Sequence, residues 1–324
     1  MRIAVAMPVA ARPTAAPSAQ ESLVIQRMSA ANTLQHVQVL NTAPRVWRTP
    51  GYDVAVDYVV EQLRAAGWDV HVEELQSSGG WSGSGKLRNI VAERRGTGAD
   101  GDRGLVVCGA HLDSVRGAPG ANDNATGSAT LIELAKSLDG IDTRNDIRLV
   151  WFDGEEAGLL GSRAHVKANA ADMARTVAML NMDMVGSPNG TPGGFDLGMR
   201  TSAPIGDALR GVILRTGLVG SEHSQRHSRS DHASFDNAGV PSIDFGPSVR
   251  DVEREDPNYH SPKDTIDKVN PQVLEGYGDL IAAMLLDAAN HVGRYGATAD
   301  AARGAATLTP LPWAARAGTP THSS

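Results

Sequence analysis

Three near-continuous apolar runs constrain this chain more than anything else in it: Leu105–Gly109, Ile147–Phe152 (broken only by Arg148) and Val177–Leu180. A strand with one wet face alternates apolar and polar residues. An unbroken run implies burial on both faces, the condition of a strand inside a mainly parallel sheet covered by helices. Helical periodicity over 126–138 and 158–169 separates the runs, and a longer helix is expected over 271–292. Upstream, Thr49-Pro50-Gly51 opens a helix whose apolar face would be Val54, Val56, Val59, Val60, Leu63 and Ala66, with Gly67 ending it. Strands are expected around Val70–Leu75, Leu87–Ala92 and Val240–Phe245, with a polar turn over Arg94–Arg103. Strands alternating with helices predict a three-layer α/β/α sandwich around a mixed, mainly parallel sheet.

No repeat or long linker divides the chain, so one domain over 26–296 is expected. Residues 1–25 read as signal-like or unstructured: Arg2 precedes the short apolar stretch Ile3–Met7, which Pro8 interrupts. That start favours export. Residues 297–324 are rich in Ala, Gly, Thr and Pro and read as a loose tail. A net charge of -7 argues against a nucleic-acid partner, which needs clustered cations. No apolar stretch is long enough to span a bilayer. Cys108 is the only cysteine, so an internal disulfide or a cysteine-based metal site is excluded. Within its apolar run it reads as a small buried hydrophobe.

In sheets of this kind, sites gather beyond the carboxyl ends of the strands. Here those ends carry His111 and Asp113, the pair Glu155 and Glu156, and Asp183; Asp123 lies on the loop after the first run, and His260 in a later loop. Each has an ordinary reading taken alone. His111 could be a hydrogen-bonded core histidine, Asp123 a helix cap, Glu155 and Glu156 an acidic turn at a helix start. Together they suit a two-metal hydrolytic centre. Asp123 could bridge two cations, one glutamate could bind metal, and its free neighbour could take a proton from the attacking water. Strand alternation lets Asp113 approach the imidazole of His111 and fix its tautomer. Carboxylate oxygens with two imidazoles suit zinc. Gly80–Lys86 has the spacing of a phosphate-binding loop, but Leu87 follows where a hydroxyl is needed and a strand follows where a helix is needed.

The ordered set Gly109–Ser114, Asn122-Asp123-Asn124, Glu155-Glu156, Asn181–Met184, Arg229–His232 and Tyr259-His260 resembles the co-catalytic dizinc aminopeptidases, the secreted leucyl-type enzymes of the zinc exopeptidase superfamily. The resemblance covers roughly residues 50–292. It implies two zinc ions, one on His111 and Asp183, the other on Glu156 and His260, with Asp123 between them. It implies Glu155 as general base, Tyr259 as oxyanion donor, Asp113 as partner of His111, and Met184 and Arg229 lining the pocket for the substrate's first residue. It also makes Asp123–Asn124 a candidate cis peptide. His223, His227 and His232 receive no ligand role and read as surface or supporting groups. Two departures stand out: no disulfide can flank His260, where Asn258 and Pro262 lie, and no insertion is long enough for an additional domain.

The activity so implied is removal of the N-terminal residue from peptides or small proteins with a free amine, by a monomer. Three rivals remain at this point. A carboxypeptidase or dipeptidase on the same scaffold would need a cationic anchor, for which Arg229 or Arg200 could serve. A glutaminyl cyclase would use one zinc, and a non-catalytic binding protein would be expected to have lost ligands.

Overall fold

The computed structural model describes residues 16–77, 83–201 and 203–296. Eight strands form one sheet: β1 (Asp69–Gln76), β2 (Lys86–Arg94), β3 (Leu105–His111), β4 (Asp146–Phe152), β5 (Thr176–Met182), β6 (Gly194–Leu197), β7 (Ser221–Glu222) and β8 (Ser242–Phe245). Their spatial order is β1-β2-β4-β3-β5-β8-β6-β7. The four central strands, β4, β3, β5 and β8, are mutually parallel, while β1, β2 and β6 add antiparallel pairings. The sheet is mixed and mainly parallel, as the apolar runs predict.

The helices are α1 (Ala19–Arg27), α2 (Ala30–Leu40), α3 (Pro50–Ala65), α4 (Gly127–Ser137), α5 (Leu160–Ala168), α6 (Ala170–Met173), α7 (Ala203–Thr216), α8 (His232–Asn237), α9 (Val252–Glu255) and α10 (Pro271–Asn290). Strand β3 is buried along its whole length, and its side chains part by alternation. Val106, Cys108 and Ala110 join the larger core with Leu131, Leu134 and Ile281 of α4 and α10. Leu105 and Val107 join a smaller core with Phe152, Met179 and Phe235 of the opposite face. Each fully buried Val, Leu, Ile or Phe contributes about 1.5–3 kcal/mol. Gly109 of β3 is fixed by space, because a Cβ there would enter the Phe152 ring. Arg148, the one charge in its run, is buried and donates to Glu93 (2.8 Å) and Asp172 (2.9 Å).

Three departures from the sequence reading appear. Val54, assigned to the apolar face of α3, is 67% exposed; Tyr52, Ala55, Val56, Val59, Val60 and Leu63 are what that helix buries. The 3.6-residue period places 52, 56, 59 and 63 on one stripe and turns 54 away from it. Helix α1 begins at Ala19, inside the segment set apart as residues 1–25; Ser18 and Glu21 form a capping box there, and the helix packs against α10. The remainder of that segment up to residue 15, the tail 297–324, and residues 78–82 of the phosphate-loop look-alike lie outside the described residues. Lys86 opens strand β2. Helices α2 and α7 and strands β6 and β7 had no counterpart in the sequence reading.

Candidate metal centre

Each candidate side chain is delivered by the carboxyl end of a central strand or by a loop pinned to it. His111 is the last residue of β3, Glu155 and Glu156 follow β4 after Asp153-Gly154, and Asp183 follows β5 directly. Asp123 stands in a wide turn over Ala121–Thr126 between β3 and α4, and its peptide with Asn124 is cis. The two oxygens of Asp264 accept the backbone N–H groups of Asn122 (2.8 Å) and Asp123 (3.0 Å). The Asn122 amide donates to Asp256 (2.7 Å) and Ser187 (3.1 Å), and that of Asn124 to the carbonyl of Met182 (2.8 Å). Gly127 leaves the close approach open, since a Cβ there would strike Asn124 and the Met182 carbonyl.

The two oxygens of Asp123 face different imidazoles. Oδ1 lies 3.4 Å from Nε2 of His111, and Oδ2 lies 3.1 Å from Nε2 of His260. Asp183 Oδ1 is 3.3 Å from the same His111 nitrogen, and Glu156 Oε2 is 3.1 Å from that of His260. All five expected ligand side chains therefore converge. Asp123 Oδ2 and Glu156 Oε1 are buried without a hydrogen bond, which leaves lone pairs aimed inward.

Asp113 meets His111 through two of its groups. Its backbone carbonyl is 3.1 Å from His111 Nδ1, nearer than its carboxylate at 3.6 Å. The carboxylate also accepts the backbone N–H groups of Glu155 (3.0 Å) and Glu156 (3.2 Å), so it fixes the acidic turn.

The centre is short of positive charge. Burial pushes the carboxyl of Glu156 up to about 8, with the charge of Asp123 adding to it. Burial also raises Glu155 well above the carboxylate range; His111 opposes that, and Glu156, Asp231 and Asp183 reinforce it. Burial works against a charged His111 and His260, yet the surrounding carboxylates hold their protons, His260 up to about 10. Crowded buried carboxylates of this kind call for cations, and the oxygen and imidazole donor set fits zinc.

Tyr259 stacks on His260 with ring centroids 3.8 Å apart and lines a cavity of about 60 Å³ with Asp183, Met184, Arg229, His227 and Asp244. Burial first, then Asp123 and Asp183, raises its hydroxyl, so the group stays protonated and able to donate. Arg200 lines a separate cavity with Asp236 and Tyr295.

Two features escaped the sequence reading. His227 and His232 are buried, at 8% and 0% exposure, so of the two readings, surface or supporting, the surface one does not hold. With His223 they surround Asp196 and Asp244: His223 to Asp196 is 2.9 Å and His227 to Asp244 is 3.2 Å. The pairing aspartates lie on β6 and β8, so local spacing could not reveal them. Arg45 is 1% exposed and donates to the carbonyls of Leu40, Leu112, Pro119 and Gly120, each at 2.8 Å. It clamps the loop leading to Asp123. Burial lowers its pKa to about 10, against the pull of Asp264, Asp113, Asp123 and Glu156. No motif marks it. Asp264 had a faint signal, lying in the same acidic loop as His260.

The chain is similar to known proteins in sequence and in fold. The chain is 31% identical over 276 residues to leupeptin-inactivating enzyme 1 of Streptomyces exfoliatus, covering 78% of this chain and 60% of that protein. Its span is 60% or less of the length of such curated relatives. Among solved structures, the aminopeptidase from Aneurinibacillus sp. strain AM-1 superposes with a TM-score of 0.71 at 19% identity, over 90% of this chain and 98% of that one. The glutaminyl cyclase of Porphyromonas gingivalis shares the fold with a TM-score of 0.66 at 22% identity, over 80% and 98%. The profile of peptidase family M28 matches residues 89–285. The chain belongs to peptidase family M28.

Proposed function

We propose that this protein is a metal-dependent aminopeptidase that binds two zinc ions and removes single residues from the free N-terminus of peptides. The observation that carries this reading is the position of Asp123, whose two oxygens face His111 and His260 at 3.4 and 3.1 Å. His111 and Asp183 would hold one ion, Glu156 and His260 the other, with Asp123 shared. When bound, the ions supply Lewis acidity toward the scissile carbonyl and the attacking water.

The chain's own residues do the rest. Glu155 takes the proton of the attacking water and returns it to the departing amine. Its backbone N–H is tied to Asp113, which limits where its carboxylate can swing. The Tyr259 hydroxyl donates to the oxygen on which negative charge develops. Carboxylates around the centre receive the α-ammonium of the substrate, giving exopeptidase action. The first side chain enters the cavity walled by Met184, Pro247, Val249 and Val252, with Arg229 beside it; the apolar walls favour Leu-like residues. The signal-like start supports action outside the cytoplasm, which cell fractionation would test.

A second reading has one observation behind it, the shared fold with a glutaminyl cyclase. Metal content and the initial rate on leucyl-p-nitroanilide, beside its N-acetylated form, decide between the two. Two zincs per chain, an inert acetylated control, and a loss of about 10²–10⁴-fold in Glu155→Ala with metal retained are expected. One metal and no cleavage would move the cyclase forward. Two metals without cleavage would point to peptidases acting at the carboxyl end.

A further inference from the structure

A larger cavity, about 580 Å³, borders the same centre through Asp113 and Glu156 and shares no lining residue with the Met184 cavity. Its volume falls in the range of sites that enclose small ligands. Trp47, Arg48 and Arg116 line it as well. Neither guanidinium has a hydrogen bond or an ion pair among the described residues, although two carboxylates border the same groove. Arg48 is nonetheless placed. Its backbone is in the left-handed region at φ 63, its guanidinium lies 5.3 Å from the centre of the Trp47 ring, and Gly85 packs close against it. Any Cβ at Gly85 would crowd both the Trp47 ring and Arg48 Nη1, at 3.1 and 3.2 Å. A held but unpaired guanidinium presents a fork of donors matched to a carboxylate.

Resting on the aminopeptidase reading, we propose that this groove takes the departing part of the substrate and that Arg48 and Arg116 bind a carboxylate there. Two or three extended residues span at most about 7–11 Å, which is the reach of a carboxylate at the end of a short peptide. The substrate class is then di- and tripeptides with an anionic group beyond the scissile bond, the free C-terminus being its commonest source.

The test compares kcat/KM for Leu-Gly-Gly, its C-terminal amide, and Leu-Glu-Gly amide, in the wild type and in Arg48→Gln, Arg116→Gln and the double variant. The free acid is expected to exceed the amide about 4- to 25-fold, mainly through KM, with each arginine contributing about two- to fivefold as an exposed pair. In the double variant the ratio falls to about one. Recovery of the rate in Leu-Glu-Gly amide would support the anionic anchor with a side chain as its source. Equal rates for all three peptides in the wild type, with leucyl-p-nitroanilide still cleaved, would overturn this inference alone. No cleavage of any substrate would sink the aminopeptidase reading, and this one with it.

Discussion

Asp264 holds Asp123 by its backbone, accepting that residue's N–H at 3.0 Å while its other oxygen takes the N–H of Asn122 at 2.8 Å. The carboxylate of Asp123 is left free to face the two imidazoles. In Asp264→Asn one oxygen becomes an amide that cannot accept, so one of the two backbone groups loses its partner. Zinc affinity is expected to fall about 10- to 100-fold, read by competition with a chromogenic chelator. Unchanged affinity would mean that the turn is held by its asparagines alone.

Arg45→Met removes the donor that serves four carbonyls and leaves them buried. The expected loss is about 3–5 kcal/mol, at the severe end for one substitution. Urea unfolding of the metal-free protein measures it. A loss below about 1 kcal/mol would show that the loop before Asp123 is ordered without this clamp.

Glu73 carries an acid-stability signature away from the metal centre. Burial disfavours its charge, but His165 at 2.7 Å, with Asn89 and Asn169, outweighs burial and brings its pKa down to about 2. A folded-state pKa below the unfolded value means full stabilisation above about pH 4.5, fading as pH falls toward 2. The amount is roughly 3 kcal/mol. Glu73→Gln should therefore be less stable than the wild type at pH 6, with the gap narrowing steadily below pH 4.5. Denaturant midpoints at several pH values would show this, and a gap independent of pH would refute it.

Chelation should abolish activity and lower the melting temperature, with both restored by zinc. At 1,000 times its dissociation constant a ligand of the native state adds about 4 kcal/mol, a shift of several degrees in calorimetry. Full activity after exhaustive chelation would contradict the metal reading.

Much of this was legible because the site and the sheet share one logic. The apolar runs marked β3, β4 and β5, and the polar residues just past their ends were the ones brought together. What stayed hidden depends on contacts distant in sequence. Asp244 meets Asn181 because β8 lies beside β5, and His227 reaches it from the loop between β7 and α8. Arg45 reaches the loop at Leu112–Gly120 through carbonyls, which leave no mark in side-chain patterns. Val54 failed for a local reason: a valine beside a helical stripe looks the same in sequence as one within it.

The side chains that converge on Asp123 run from position 111 to position 260 along the chain, and only Glu155 and Glu156 are neighbours. Their meeting depends on β3, β4 and β5 pairing in the observed register, in which His111 lies opposite Phe152. A slip of one residue would turn every side chain of a strand to the other layer. On the proposed reading, ion capture would work as an inspection of the finished sheet. Chains with misaligned strands would forgo it, and the ions would sort native molecules from near-native ones after folding rather than guide the fold itself.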